Sequence, residues 1–430
     1  MNETPRKDRR TVLRALGATA LAGPLAACAS LSGTRNARVV VVGGGYGGAT
    51  AAKYVRVFSS NHVDVTLVEP NAAFVSCPLS NLVLSGDRDL ASITVPYDAL
   101  VERHGVRWVR DRASAIDIGA KQVRLAGGGT LDYDRLILSP GIDFVPGAIP
   151  GLANAATAAQ APHAWKAGTQ TLALRHLLEA MPNGGTVAIS IPLAPYRCPP
   201  APYERACLIA NWLQRAKPDS RVLILDANDD VTSKGALFKR VWAERYPQHI
   251  EYRPQYNAVD IDATGRVLKF DVQDDVQADV VNLIPPQRAG AIAVHAGLAT
   301  ANGRWCEVDF LSFESKAAPG VHVIGDAIQT APLMPKSGHM ANQHGKVVAA
   351  AVVAMLAGHA PDASPLYANT CYSFITPDEA MHVATVHRYD PAEHTMVTVQ
   401  GAGGLSDGPS VAEGKLAQGW SRAIWSDMLG

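Results

Sequence analysis

Arg38-Val39-Val40-Val41-Val42-Gly43-Gly44-Gly45-Tyr46-Gly47-Gly48 decides the fold of this chain. A run of β-branched residues favours an extended strand, and the glycines end it before a helical stretch from Ala49 to Phe58. Strand, glycine turn and helix follow in the order of a dinucleotide-binding unit. Glycines at 43, 45 and 48 allow a tight turn, let backbone approach a pyrophosphate, and let the helix pack on its strand. A glycine pattern alone is weak. Here a second strand, Asp64-Val65-Thr66-Leu67-Val68, ends at Glu69, twenty-one residues beyond Gly48, where a carboxylate binds adenosine ribose hydroxyls.

Two later segments favour a flavin over a nicotinamide. Tyr133 to Gly141 reads as a strand that returns to the first sheet and then leaves for another domain. Val321-His322-Val323-Ile324-Gly325-Asp326 reads as a buried strand ending in a glycine and a carboxylate, the place where two-domain flavoproteins hold ribityl hydroxyls. Pro335-Lys336-Ser337-Gly338 then opens a helix to about Leu356, whose N-terminus would favour negative charge on a reduced ring. Bound FAD is the expectation.

Between these segments lies another strand, helix and strand: Thr186 to Ser190, Tyr203 to Ala216 and Arg221 to Asp226. The intervening turn, Ile191-Pro192-Leu193-Ala194-Pro195-Tyr196-Arg197-Cys198-Pro199-Pro200-Ala201-Pro202, has five prolines where a nucleotide site has glycines. Prolines remove the backbone donors that a pyrophosphate needs, so this unit is expected to bind no nicotinamide nucleotide. Cys198 in that turn precedes a helix, and the dipole with Arg197 is expected to lower its thiol pKa. Glu204 is near enough in sequence to exchange protons. Cys371 lies 173 residues further on. If the two sulfurs meet beside a flavin they form a redox disulfide, although spacing alone equally allows a structural bridge or another pairing. Cys207 and Cys306 read as buried thiols.

The 430 residues point to two or three domains, and 47% hydrophobic with 18% charged residues is a globular composition. The 39 Lys+Arg balance 39 Asp+Glu, which argues against a nucleic-acid partner. No metal site is expected. Beyond the first thirty residues the longest apolar run, Val347 to Leu356, is half a membrane span. Arg9-Arg10-Thr11-Val12-Leu13-Arg14, an apolar stretch to Leu25 and the tract from Ala26 to Ser30 read as a twin-arginine export signal over residues 1–30, and hence a periplasmic protein. Leu25-Ala26-Ala27-Cys28 also fits a lipoprotein site that would tether Cys28 to a membrane. Removing the signal takes five basic and two acidic residues, and five cysteines remain in a compartment that permits disulfides.

At these residues the chain resembles the flavin-binding subunit of flavocytochrome c sulfide dehydrogenase. The matching stretches are Val39 to Gly45, Ala161 to Gly168, Tyr196 to Ala206, Asn282 to Gly290, Met334 to Gly338 and Asn369 to Ser373. The resemblance implies an α/β fold: two Rossmann-like domains of the disulfide-reductase flavoprotein type plus a C-terminal α+β interface domain. It divides the chain into an FAD domain (37–152 and 293–364), a second Rossmann-like domain without a nicotinamide site (153–292) and the interface domain (365–430). It implies that Cys77 carries FAD through a thioether, that Cys198 and Cys371 form the redox disulfide, that Glu204 is an acid/base and that Trp420 lies near the flavin. Gly43, Gly45, Gly48, Glu69, Gly325, Asp326 and Lys336 complete the cofactor site.

The implied reaction is attack of hydrosulfide on the Cys198-Cys371 disulfide, formation of zero-valent sulfur and passage of electrons through the flavin to a separate c-type cytochrome, docked on an exposed apolar patch. No C-x-x-C-H occurs in this chain, so the haem belongs to a partner subunit. A sulfide:quinone oxidoreductase, a nicotinamide-dependent disulfide reductase and a flavoprotein accessory factor that maintains another sulfur-oxidising enzyme are the alternatives.

Overall fold

In the computed structural model, which describes residues 36–430, the valine run forms the strand Ala37–Val42 inside a six-stranded sheet. The export signal read over residues 1–30, Cys28 included, lies outside the described residues. Val39 to Val42 are buried because both faces of the strand are covered, and this removes the polar alternation of a one-sided sheet. Parallel neighbours flank the strand: Val63–Val68 on one side, with Val41 opposite Leu67, and Arg135–Leu138 on the other, with Val41 opposite Ile137. Ala318–Val323 pairs in parallel with Arg135–Leu138. The carboxyl ends that carry Gly43, Glu69, Ser139 and Gly325 therefore share one edge of the sheet, where ligands of open α/β sheets sit.

The first helix runs Tyr46–Phe58, three residues earlier than expected, so Gly47 and Gly48 fall in its first turn. Both are there for close approach. A Cβ on Gly48 would meet the Gly43 carbonyl oxygen at 1.8 Å. The helix Gly338–Leu356 crosses this one at Gly345, where a Cβ would meet the Gly47 carbonyl oxygen at 2.6 Å.

The chain leaves the first sheet after Leu138 and builds a second, four-stranded parallel sheet in the order Ile250–Pro254, Arg221–Asp226, Thr186–Ile191, Val280–Leu283. Its long helix begins at Ala201, because Pro199 and Pro200 sit before and at its N-cap, where a missing backbone donor costs nothing. The C-terminal segment is an antiparallel sheet whose main hairpin is Leu366–Phe374 with Ala380–Asp390, followed by the helix Val411–Leu429. Among the described residues no helix is long and apolar enough to cross a membrane.

Candidate flavin and sulfur site

A cavity of about 350 Å³ opens where the first sheet's carboxyl edge meets the proline turn. At one end lie Gly45, Gly47 and Glu69. Gly43 holds φ +99°, and a Cβ on Gly45 would meet no atom within 4 Å, so the turn leaves open space above its backbone. One Glu69 carboxylate oxygen accepts from the Gly44 N–H at 2.8 Å and the other from the Asn71 N–H at 2.9 Å. The carboxylate is thereby fixed at the cavity wall.

Gly325 and Asp326 also line the cavity. The Gly325 N–H donates to His344 Nδ1 at 3.2 Å, while the buried Asp326 Oδ1 has no hydrogen-bond partner among the described residues. Burial pushes the Asp326 carboxyl upward against the pull of Arg197 and Lys336. A buried, orphaned carboxylate oxygen facing an open cavity fits the hydroxyl of a ligand. The glycine cradle, the fixed Glu69 and this unmet acceptor together fit a flavin dinucleotide.

Cys77 lines the same cavity, its Sγ 3.8 Å from the Trp165 carbonyl oxygen. Lys336 does not line it. Its ammonium donates to the carbonyls of Asp326 and Ile328 and lies 3.6 Å from the Trp305 ring centroid, and burial pulls it down to about 7. The helix that Lys336 precedes starts at Gly338, capped by the Ser337 hydroxyl, and brings Gly338 and Ala341 to the cavity. Trp420 packs against His339 and Tyr372 away from the cavity lining, whereas Trp425 donates to the hydroxyl of Tyr46, a lining residue, at 3.2 Å. The contact near the cavity from the last helix is therefore made one turn beyond the expected residue.

The proline turn brings Cys198 to the cavity wall. Its backbone is left-handed, φ +55°, and is held by a bond from its N–H to the Lys336 carbonyl at 2.8 Å. Cys198 and Cys371 interact with each other, although 173 residues separate them in the chain. The expectation of a lowered Cys198 pKa fails: burial, Cys371 and Glu204 push the thiol up, and Arg197 and Lys234 only partly oppose them. Burial penalises the charged thiolate, and here that penalty outweighs the nearby cations. Asn369 Nδ2 donates to Cys371 Sγ at 3.3 Å.

Glu204 sits in the first turn of the Ala201–Ala216 helix and is buried. Burial raises its carboxyl to about 7 against Lys234, the Phe374 N–H, Arg205 and Asn81. The neighbouring Arg205 is buried on Asn81, Asn282 and the carbonyls of His163 and Ala164, 5.2 Å from the Trp165 ring centroid. Cys207 and Cys306 are buried thiols, and burial raises both to about 12.

Linkage follows from the raised Glu204. The unfolded chain ionises this carboxyl at its ordinary value while the folded chain resists, so stability is full below pH 4.5 and is lost as pH rises to about 7. Glu204→Gln removes that loss. Its melting temperature is expected to gain a few degrees on the wild type between pH 4.5 and 7; a constant gap across that window would contradict the raised value.

In the second sheet, Asp226 ends its strand where a nicotinamide domain would offer a ribose ligand, but its oxygens accept from Tyr203 at 2.6 Å, Asn228 and Tyr252. Tyr196 bonds Thr232 at 2.7 Å above them. Side chains occupy the polar positions of this turn.

Fold and cavity define a flavin oxidoreductase of the disulfide-reductase type. Residues 37–179 match the pyridine nucleotide-disulphide oxidoreductase model. The sulfide:quinone oxidoreductase structure from Aquifex aeolicus superposes with a TM-score of 0.74 at 18% identity, over 91% of each chain. Residues 171–285 match the central model of the sulfide dehydrogenase (flavocytochrome c) flavoprotein chain, and 363–429 match the flavocytochrome c sulphide dehydrogenase flavin-binding model. A flavoprotein chain of that enzyme from Chlorobaculum thiosulfatiphilum is 63% identical over 46 residues, 11% of this chain and 94% of that one. The sulfide-quinone reductase of Aquifex aeolicus is 30% identical over 151 residues, 35% of this chain and 34% of its own length. The chain belongs to the flavocytochrome c sulfide dehydrogenase flavoprotein family.

Proposed function

We propose that this chain oxidises hydrosulfide to zero-valent sulfur through Cys198 and Cys371 and passes the electrons by way of FAD to a separate c-type cytochrome. One observation carries the reading: Cys198 at the cavity wall interacts with Cys371 from a distant segment, beside a carboxyl poised near neutrality. Bound at that cavity, the flavin supplies a two-electron acceptor able to release electrons singly. Gly43, Gly45, Gly48, Glu69, Gly325 and Asp326 hold it, and Cys77 forms the covalent link.

Cys198 lines the cavity and Cys371 is not part of that lining, which supports Cys371 as the sulfur that takes the sulfide. Hydrosulfide bonds to Cys371 Sγ, the disulfide bond breaks, and Cys198 leaves as the thiolate facing the cavity. Glu204 takes the persulfide proton, a task suited to a carboxyl titrating near 7. Arg205 and Arg197 hold the walls and give the site positive charge. Leu333, 83% exposed, and Leu193, 52% exposed, lie in the two loops joined by the Cys198–Lys336 bond and supply an apolar surface for the cytochrome. The twin-arginine signal supports a periplasmic location.

Intact mass of the purified, denatured protein tests the covalent link. The wild type is expected to carry the added mass of FAD and Cys77→Ser to lose it on denaturation; the same mass increment in both would assign the link elsewhere.

A further inference from the structure

Lys234 has no signal in the sequence and no part in the reaction as written above. It caps the helix Gly235–Arg245 in a left-handed conformation, φ +57°, and is only 6% exposed. Its ammonium reaches from the second sheet's connection to the C-terminal sheet and donates to the carbonyl oxygen of Cys371 itself at 2.9 Å. The ionisable groups that act on it are Cys371 and Cys198, Glu204 from the proline-turn helix and Glu413 from the last helix. Arg197 and Arg205 act in turn on Cys198 and Glu204. Burying an ammonium costs several kcal/mol unless nearby negative charge offsets it. Here the groups that face it are the sulfur pair, Glu204 and Glu413, and Glu413 is already engaged by His382 and Ser406.

We propose that Lys234 is the positioning residue of the sulfur pair: its ammonium anchors the Cys371 main chain and supplies the positive charge against which sulfide opens the disulfide. The inference rests on the function proposed above. In that step one bond forms between the incoming sulfur and Cys371 Sγ, the Cys198–Cys371 bond breaks, and its electron pair stays on Cys198. The net negative charge moves from the hydrosulfide to a buried sulfur, where a fixed ammonium lowers the barrier. The same charge opposes the burial that pushes the Cys198 thiol up. Without it, thiolate formation at Cys198 becomes harder still.

The test uses the flavin-loaded full chain, reduced with dithiothreitol under anaerobic conditions, with iodoacetamide alkylation of Cys198 followed by peptide mass across pH. Lys234→Met removes both charge and hydrogen bond, Lys234→Gln keeps a donor for the Cys371 carbonyl without the charge, and Lys234→Arg keeps the charge. Alkylation in the Met and Gln variants is expected to slow about tenfold near neutral pH, with its midpoint about one unit higher, while the Arg variant stays close to the wild type. A Gln variant that alkylates like the wild type, or an Arg variant as slow as Met, would overturn the proposal. Where the Met variant fails to fold, the Gln and Arg pair decides. Thiol counts before and after dithiothreitol keep the two readings separate: an unchanged count removes the redox disulfide while leaving the Lys234 comparison intact.

Discussion

Cys371→Ser is expected to hold its flavin and remain yellow, yet to lose sulfide-dependent bleaching by at least about a thousandfold. The substitution is nearly isosteric. Cys371 lies outside the cavity lining, on a strand that pairs in full register from Leu366 to Phe374 against Arg388 to Ala380, so a hydroxyl there leaves both cavity and sheet intact. It also keeps a partner for Asn369 Nδ2. What disappears is the group proposed to accept hydrosulfide and release Cys198 as a thiolate. Rapid mixing with sulfide, followed at the flavin's visible band, measures the loss. Turnover at the wild-type rate would leave the disulfide no role.

Gly48→Ala is expected to abolish flavin binding and lower stability, because its Cβ would lie 1.8 Å from the Gly43 carbonyl oxygen. Neither atom is the end of a flexible side chain. The backbone of the glycine turn must shift to relieve the clash, and that backbone is what faces the pyrophosphate. The stability loss should reach at least the upper end of the roughly 1–3 kcal/mol typical of overpacking. Gly45→Ala is the control: its Cβ meets nothing within 4 Å, so the protein should fold normally. It should lose affinity only where the new methyl intrudes on the cofactor. Melting curves with and without added FAD separate the two variants. Equal stability of Gly48→Ala and wild type would contradict the close packing of helix on turn.

The residues legible in the sequence are those whose role is a backbone requirement. Glycines at 43, 45 and 48 and the carboxylates Glu69 and Asp326 follow strands, and a strand's carboxyl end locates them without knowledge of the rest of the fold. The Cys198–Cys371 neighbourhood was legible only through the family resemblance, since 173 residues separate the two and the helix Ala201–Ala216, the second sheet and the long return to the first sheet must all be folded first. The direction of the Cys198 shift was misread for a related reason. Arg197 and the helix dipole are local in sequence, whereas the burial that outweighs them comes from tertiary packing. Lys336 and Trp420 depend on tertiary packing too: the first lies against the Trp305 ring and the second against His339. Lys234, 137 residues from Cys371, carries no motif at all.

Mixing the air-oxidised, flavin-loaded wild type anaerobically with sulfide in one syringe and NADH in another tests the central claim most directly. Sulfide should bleach the flavin within the dead time of turnover and expose new thiols on Cys198 and Cys371, while NADH, facing a turn filled by prolines and tyrosines, should leave the spectrum unchanged. Bleaching by NADH, or bleaching by sulfide with both thiols already free beforehand, would contradict the account.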